Sequence, residues 1–280
     1  MSAARTSPWH ALALLAPALL LLGCLFGGPL LWSLLGSVGW EGPTPGFTLE
    51  HYRDIVTRPT LVRGLLRSIY FGVAPVVVTL VLSIGLALAL RRHFLGRALF
   101  NGLYRIPIAV PGLIAALLVL TLAERGGFLD RLAVPLGVRL PALVRDDWGV
   151  GVILTTVWKQ VPFMTLVIGS AFAAIPRDLA AAAHTLGAGR WQTLLQVDLP
   201  LAMPGISAAV LLTFIGSMGS YAIPSLVGAA SPQPLAVLMM AEFGRGNYPL
   251  VYAIGMVLTA FALAVLVAYT LLTDRRRSHG

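Results

Sequence analysis

The chain has 280 residues, of which 58% are hydrophobic and 11% are charged, and its formal net charge is +9. A soluble domain has about 25% charged and about 45–50% apolar residues, so the composition excludes an ordinary soluble protein. All but one of the 20 basic residues are arginines in short groups beside apolar runs, which argues against a nucleic-acid-binding surface. The composition predicts an all-α integral membrane protein.

Six apolar runs are long enough to cross a membrane, because a helical span needs about 20 apolar residues. They cover approximately residues 11–35, 69–90, 106–123, 150–175, 206–227 and 250–272. The stretches after the first and third runs are rich in Gly, Pro and charge and are predicted to be loops, the first with one short surface helix. Residues 235–243 predict a short interfacial or re-entrant helix. We expect a single transmembrane domain over residues 1–280, with a core of spans 2–6 at about residues 61–273.

The only cysteine, Cys24, follows Leu21-Leu22-Gly23 in a sequence similar to a bacterial lipoprotein cleavage box. The apolar run continues to Leu35, which is too long for the apolar region of a removed signal. We therefore expect a retained first span, with lipidation at Cys24 as the alternative.

Arginine placement predicts the orientation of the six spans, which put both termini on one side of the membrane. The two sides carry nearly equal numbers of arginines, but Arg91-Arg92 and Arg275-Arg276-Arg277 lie directly at span ends, where the positive-inside rule is strongest. The other side distributes its arginines over longer loops that also hold most of the acidic residues. We therefore expect both termini and residues 176–205 in the cytoplasm.

Residues 176–205 are the one long hydrophilic stretch between spans that also has the pattern of a folded element. Four consecutive alanines favour a helix, and Asp178 is suited to its N-cap. Gly187 permits a sharp turn into a second short helix, and Pro200 and Pro204 are predicted to end the unit. From composition alone, this helix pair is either a coupling element or a simple connection between spans 4 and 5.

The sequence contains no catalytic pattern and no pattern for a metal or cofactor site. The five histidines lie in separate segments without ligand spacing. The only lysine, Lys159, does not follow a phosphate-binding glycine loop, so the sequence predicts no nucleotide site of its own. If transport is driven by ATP, a separate chain would hydrolyse it.

The loop at 176–205 resembles the coupling loop of the membrane subunits of type I ABC importers. In that family E-A-A-x-x-x-G is followed, after about nine residues, by I-x-L-P. The matching residues here are Ala182, Ala183, Gly187, Val197, Leu199 and Pro200. Ala181 stands where the family has glutamate, so docking here would rely more on shape than on charge. Further similarity lies in Phe47-Thr48-Leu49-Glu50-His51-Tyr52, Pro107-Ile108-Ala109-Val110-Pro111-Gly112 and Trp158-Lys159-Gln160-Val161-Pro162-Phe163.

The resemblance implies a permease subunit of an ATP-driven, binding-protein-dependent importer. The implied partners are cytoplasmic ABC ATPase subunits, a second identical or homologous permease subunit, a periplasmic substrate-binding protein and membrane lipid, with no nucleic acid. The residues expected to form the ATPase-coupling loop are Asp178, Ala181, Ala182, Ala183, Gly187, Arg190, Leu199 and Pro200. The rival classes are a stand-alone secondary transporter or channel, and a membrane scaffold.

Candidates for the solute path lie in spans 4 and 5. Lys159, beside Gln160, is about ten residues into span 4, where a cation is costly unless it faces protein or water. It therefore lines the path or serves structure or gating near Pro162, and we favour the structural role. The small and hydroxyl residues of span 5 either pack helices closely or line a path beside a broken helix, and the path candidates there are Ser217, Ser220 and Tyr221. The pattern around them is most similar to the branch of the family for polyamines, iron, phosphonates or related small solutes.

Overall fold

The computed structural model describes residues 8–40, 46–91, 94–138, 141 and 143–277. Within these residues all regular secondary structure is helical, and no strand is present. The α-helices are α1 (Pro8–Leu22), α2 (Gly28–Ser37), α3 (Glu50–Thr57), α4 (Pro59–Leu90), α5 (Arg97–Leu103), α6 (Ile106–Ala109), α7 (Gly112–Ala123), α8 (Phe128–Ala133), α9 (Val150–Ala173), α10 (Arg177–Thr185), α11 (Arg190–Thr193), α12 (Leu199–Met218), α13 (Ala222–Val227), α14 (Leu235–Gly244) and α15 (Tyr248–Arg277).

Six helical stretches are long and apolar enough to cross a membrane, which confirms the prediction of an all-α membrane protein. They are Leu14–Ser37, Pro59–Leu90, Gly112–Leu136, Val150–Ala173, Arg190–Met218 and Tyr248–Leu271. The predicted surface helix in the first loop is α3, and the short helix predicted at 235–243 is α14.

Span 2 begins ten residues earlier than predicted, at Pro59. The prediction began the span after Arg67, the last basic residue before the apolar run. Both arginines in the added turns, however, have partners within the protein. Arg63 Nε donates to the Pro59 carbonyl at 3.2 Å, and Arg67 donates to the Asp147 carbonyl at 2.5 Å. The Arg67 guanidinium also lies 4.8 Å from the ring centre of Phe71, a favourable cation–π distance. The helix therefore continues through the charges.

Span 5 was predicted wrongly at both ends. A continuous helical stretch runs from Arg190 through a π-helical turn, Leu194–Asp198, to Met218. Pro200 therefore lies inside the helix instead of ending it. Pro200 comes directly after the wide π turn, at the start of a new α-helical register. A proline in that position has no α-type hydrogen bond to displace, so the helix can continue through it. The helix then breaks at residues 219–221 before α13 begins.

Span 3 is also interrupted. The short helix α6 ends at Ala109, and α7 starts at Gly112 after an extended residue, Val110. The predicted C-terminal end at Ala123 matches the end of α7. Because Pro111 has no backbone N–H and disfavours helical geometry in the residue before it, the chain is set up to break at this point.

The described residues form two compact units. One comprises the residues up to Arg58 together with Met239–Thr259. In this unit the Ser37 and Tyr52 hydroxyls lie 2.7 Å apart, and Ile55 is almost fully buried.

The second unit comprises Pro59–Leu238 and the described residues from Ala260 onward, and its core is formed by α4, α9 and α12. The buried side chains of this core are Val76, Ala87, Met164, Ile168, Phe172, Ala202, Ile206 and Ala209. Glycines allow the helices to approach closely, since a Cβ on Gly205 would lie 2.5 Å from the Ala171 Cβ and one on Gly72 would lie 2.7 Å from the Phe214 ring. The second unit is thus held together by a tightly packed core of three helices.

Candidate coupling loop and membrane cavity

The first half of the loop is the predicted helix, α10, and it ends in a well-formed C-terminal cap. Gly187 has φ +86°, in the left-handed region that favours glycine. The Ala188 N–H donates to the Ala183 carbonyl, and the Gly187 N–H donates to the His184 carbonyl, both at 3.0 Å. These two bonds are the Schellman motif, which satisfies the last carbonyls of a helix. The turn that the sequence predicted is thus fixed by backbone bonds.

The start of α10 differs from the prediction. Pro176 occupies the N-cap position, and Asp178 lies in the first turn without a capping hydrogen bond. A carboxylate in the first turn still interacts favourably with the positive end of the helix dipole. Asp178 therefore supports the helix start through charge instead of through a cap.

The second half of the loop is the beginning of span 5 and not a separate helix. At its start, Gln192 Oε1 accepts a hydrogen bond from the Gly189 N–H at 2.8 Å. The same helical stretch carries Arg190 at its exposed N-terminal end, then Leu199 and Pro200, and continues into the membrane-spanning part. The loop and the membrane-spanning part of span 5 therefore share one continuous helical stretch.

The surface of the loop is unusually apolar for a hydrophilic stretch. Leu186 is 89% exposed and Trp191 is 75% exposed, and they stand on either side of the Gly187 turn. Leu195 and Leu179 are also exposed, and so are Ala181 and Ala182, while Ala183 is half-buried. Exposed large apolar side chains in a group are typical of a surface that binds another protein.

An ion pair that the sequence analysis missed joins the loop to span 2. Arg91, at the C-terminal end of span 2, donates to Asp198 Oδ2 at 2.9 Å. The side chain of Asp198 is 12% exposed and that of Arg91 is 41% exposed, and the Arg91 guanidinium also lies 5.4 Å from the ring centre of Phe172. Asp198 is the acidic residue in the segment that matches I-x-L-P, and the local sequence around it does not point to Arg91.

The predicted path residues of spans 4 and 5 lie around one cavity of about 160 Å³. Lys159, Gln160, Ser217 and Ser220 line it, and Tyr221 is adjacent in sequence but absent from its lining. The remaining lining residues are Gly112, Thr156, Gly216, Ala222 and Ile223. The cavity therefore lies where two broken spans, 3 and 5, meet span 4.

Lys159 connects two of these spans. Its Nζ donates to the Val110 carbonyl at 2.5 Å, at the interruption of span 3. The favoured role of Lys159 in structure or gating stays a prediction. An ammonium group has three donors, so two remain for other partners in the cavity. On the span 5 side, the buried Ser217 hydroxyl has no hydrogen-bond partner among the described residues.

Residues 79–278 match the family model for the binding-protein-dependent transport system inner membrane component. The match covers more than half of the chain. The chain belongs to this family. It is a membrane subunit of a binding-protein-dependent transport system, and the rival classes of stand-alone transporter and scaffold are set aside. As in the related ABC permeases, ATP hydrolysis occurs on a separate subunit.

Individual relatives agree with this assignment. The chain is 26% identical over 235 residues to the sulfate transport system permease protein CysT of Escherichia coli, with 80% of each chain covered. It is 28% identical over 221 residues to a probable molybdenum ABC transporter permease of Haloferax volcanii, with 78% of each covered. The fold matches a crystal structure of a bacterial alginate ABC transporter in complex with an alginate-pentasaccharide-bound periplasmic protein, with a TM-score of 0.79, 18% identity, and coverage of 95% of this chain and 94% of the other. The chain is a multi-pass inner-membrane protein.

Proposed function

We propose that this permease subunit couples ATP hydrolysis by a cytoplasmic ATPase to alternating access for a small anionic solute. The observation that carries the proposal is the continuous helix from Arg190 to Met218. It begins in the exposed loop and ends at the cavity-lining break in span 5. A motion imposed on the loop therefore reaches the cavity through one rigid element.

The loop 176–205 supports docking of the ATPase. Its exposed apolar residues, Leu186 and Trp191, offer a surface that does not depend on the glutamate that Ala181 replaces. Both chain termini lie on the same side as this loop, in the cytoplasm, if the arginines at the span ends obey the positive-inside rule. A periplasmic binding protein then delivers the solute from the opposite side. The alginate transporter of matching fold is likewise in complex with a periplasmic protein that holds alginate. A second permease subunit, identical or homologous, completes the enclosed path.

The cavity favours an anion among the solutes that the sequence pattern suggested. Lys159 is its charged lining residue, and none of the lining residues carries a carboxylate, imidazole or thiol. A polyamine would be repelled by the ammonium group, and an iron cation would lack ligands. A phosphonate or another tetrahedral oxyanion would instead find two free ammonium donors and the hydroxyls of Ser217 and Ser220. Sulfate, the named solute of one relative, is a tetrahedral oxyanion of this class.

Affinity purification of the tagged chain from its native membrane tests the assignment of partners. We expect an ABC ATPase to co-purify. The cognate binding protein is then used in proteoliposomes to compare uptake of radiolabelled sulfate, molybdate, a phosphonate and spermidine. Spermidine uptake without oxyanion uptake would refute the proposed solute class.

Substitution of Lys159 tests its role in the same proteoliposomes. Lys159→Met removes both the charge and the bond to the Val110 carbonyl, and we expect oxyanion uptake to fall by about tenfold or more, because one charge-assisted hydrogen bond contributes about 1.5–3 kcal/mol. Lys159→Arg keeps the charge and should retain more uptake. Unchanged uptake by Lys159→Met would show that the ammonium group does not act on the solute.

A further inference from the structure

A second cavity lies at the end of the second unit that carries the coupling loop. Its volume is about 370 Å³, and it is lined by the C-terminal end of α4, by α5 with the two residues that follow it, and by the second half of α9. The polar side chains of its lining include Arg91, Arg97, Asn101, Tyr104, Arg105 and Thr165. None of these residues lines the cavity around Lys159, so the two sites are separate.

The charge of this second cavity is strongly one-sided. Three guanidinium groups line it, and no lining residue carries a carboxylate. Arg91 is paired with Asp198, and Arg105 is held by the Tyr104 side chain, with its guanidinium carbon 5.6 Å from the ring centre. Arg91 and Arg105 are partly exposed to solvent, yet all three arginines line the same space, which concentrates their charge there.

Buried polar atoms of this cavity also lack partners. Arg97 Nε is buried and has no hydrogen-bond partner among the described residues. The hydroxyl of Thr165, which is 2% exposed, is likewise buried and unpartnered within the described part of the chain. Such groups are normally hydrogen-bonded in native proteins, so each calls for an explanation. Both residues line this cavity, so a bound group with acceptor oxygens is a candidate for the missing partner.

We infer that this cavity is a binding site for a phosphate-type oxyanion. Planar guanidinium groups bind tetrahedral oxyanions with paired N–H donors, and Asn101, Tyr104 and Thr165 add neutral donors. Two sources offer this chemistry at a membrane surface: the phosphodiester of an anionic lipid headgroup, and a free oxyanion from solution. Because Arg91 both lines the cavity and pairs with Asp198 of the coupling loop, occupancy of the site would compete with that ion pair.

Lipid binding is measured by native mass spectrometry of the full chain in detergent with equimolar phosphatidylglycerol and phosphatidylcholine. Free-anion binding is measured as the shift in thermal unfolding with inorganic phosphate, at an ionic strength held constant with chloride. The test variant is Arg97→Gln with Arg105→Gln. The control is Arg63→Gln with Arg125→Gln, which removes the same charge at arginines outside this cavity.

We expect one of the two probes to bind in a saturable way, with an apparent affinity at least fivefold weaker in the test variant and unchanged in the control. Preferential phosphatidylglycerol adducts identify a lipid headgroup as the source, and a phosphate-dependent shift identifies a free anion. Absence of both, or equal loss in test and control variants, overturns the inference. If the double arginine variant does not fold, Thr165→Val and Asn101→Ala replace it, because they remove donors without removing charge.

Discussion

Replacement of Arg91 by Gln removes the cation that pairs with Asp198. For charges about 4 Å apart, the attraction is about 4 kcal/mol at an effective dielectric constant of about 20. The Arg91 side chain is 41% exposed, so water screens part of this attraction, whereas the Asp198 side chain is 12% exposed and has little access to water. Removing one partner of a fully buried pair costs about 3–5 kcal/mol, and an exposed pair contributes about 0–1 kcal/mol. We therefore expect a loss of about 2 kcal/mol of stability.

A double-mutant cycle with Arg91→Gln and Asp198→Asn isolates the pair from other effects. Asp198→Asn keeps the shape and one acceptor, so its loss should be smaller, at about 1 kcal/mol. The double variant should be about as stable as Arg91→Gln alone, which corresponds to a coupling energy of about 1 kcal/mol or more. The measurement is thermal unfolding of the purified chain in detergent. Additive losses in the double variant would refute the pairing and the link between span 2 and the coupling loop.

Two further predictions concern helix packing and the loop surface. Gly205→Ala places a methyl group against the Ala171 Cβ and should lower the free energy of unfolding by about 1–3 kcal/mol, measured by thermal unfolding. The control is Gly85→Ala, where a Cβ has open space, and this change should be neutral or stabilising. Equal effects of the two substitutions would contradict the close contact. Leu186→Ser should weaken ATPase binding by about tenfold in a pull-down titration and leave thermal stability unchanged. The control is Leu136→Ser, at a similarly exposed leucine, and this variant should bind the ATPase normally. Normal ATPase binding by Leu186→Ser would exclude the apolar surface as the binding site.

Hydropathy predicted the number of spans because membrane thickness fixes the length of an apolar run. The ends of spans were less predictable. At Arg67 the charge suggested a span end, but a long-range carbonyl and an aromatic face accommodate it within the helix. At Pro200 the proline suggested a helix end, but the preceding π turn allows the helix to continue. Both outcomes depend on contacts or hydrogen-bond registers that a local pattern does not contain.

The candidate site was predictable to a similar degree. The turn at Gly187 followed from the residue type, because few other residues adopt the left-handed region. Four of the five path candidates line one cavity. A broken helix was among the alternatives for span 5, whereas the break in span 3 was not predicted. The pair between Arg91 and Asp198 was not predictable, because its residues are 107 positions apart in the sequence. A contact of that range requires the packing of α4 against α12.

Site-specific cross-linking shows whether the loop 176–205 contacts the ATPase. The chain has a single cysteine, Cys24, so a Cys24→Ser background gives clean labelling. In the assembled complex, a photo-cross-linker on Leu186→Cys should attach to the ATPase subunit, and one on Leu136→Cys should not. Cross-linking from Leu136→Cys with none from Leu186→Cys would contradict the account.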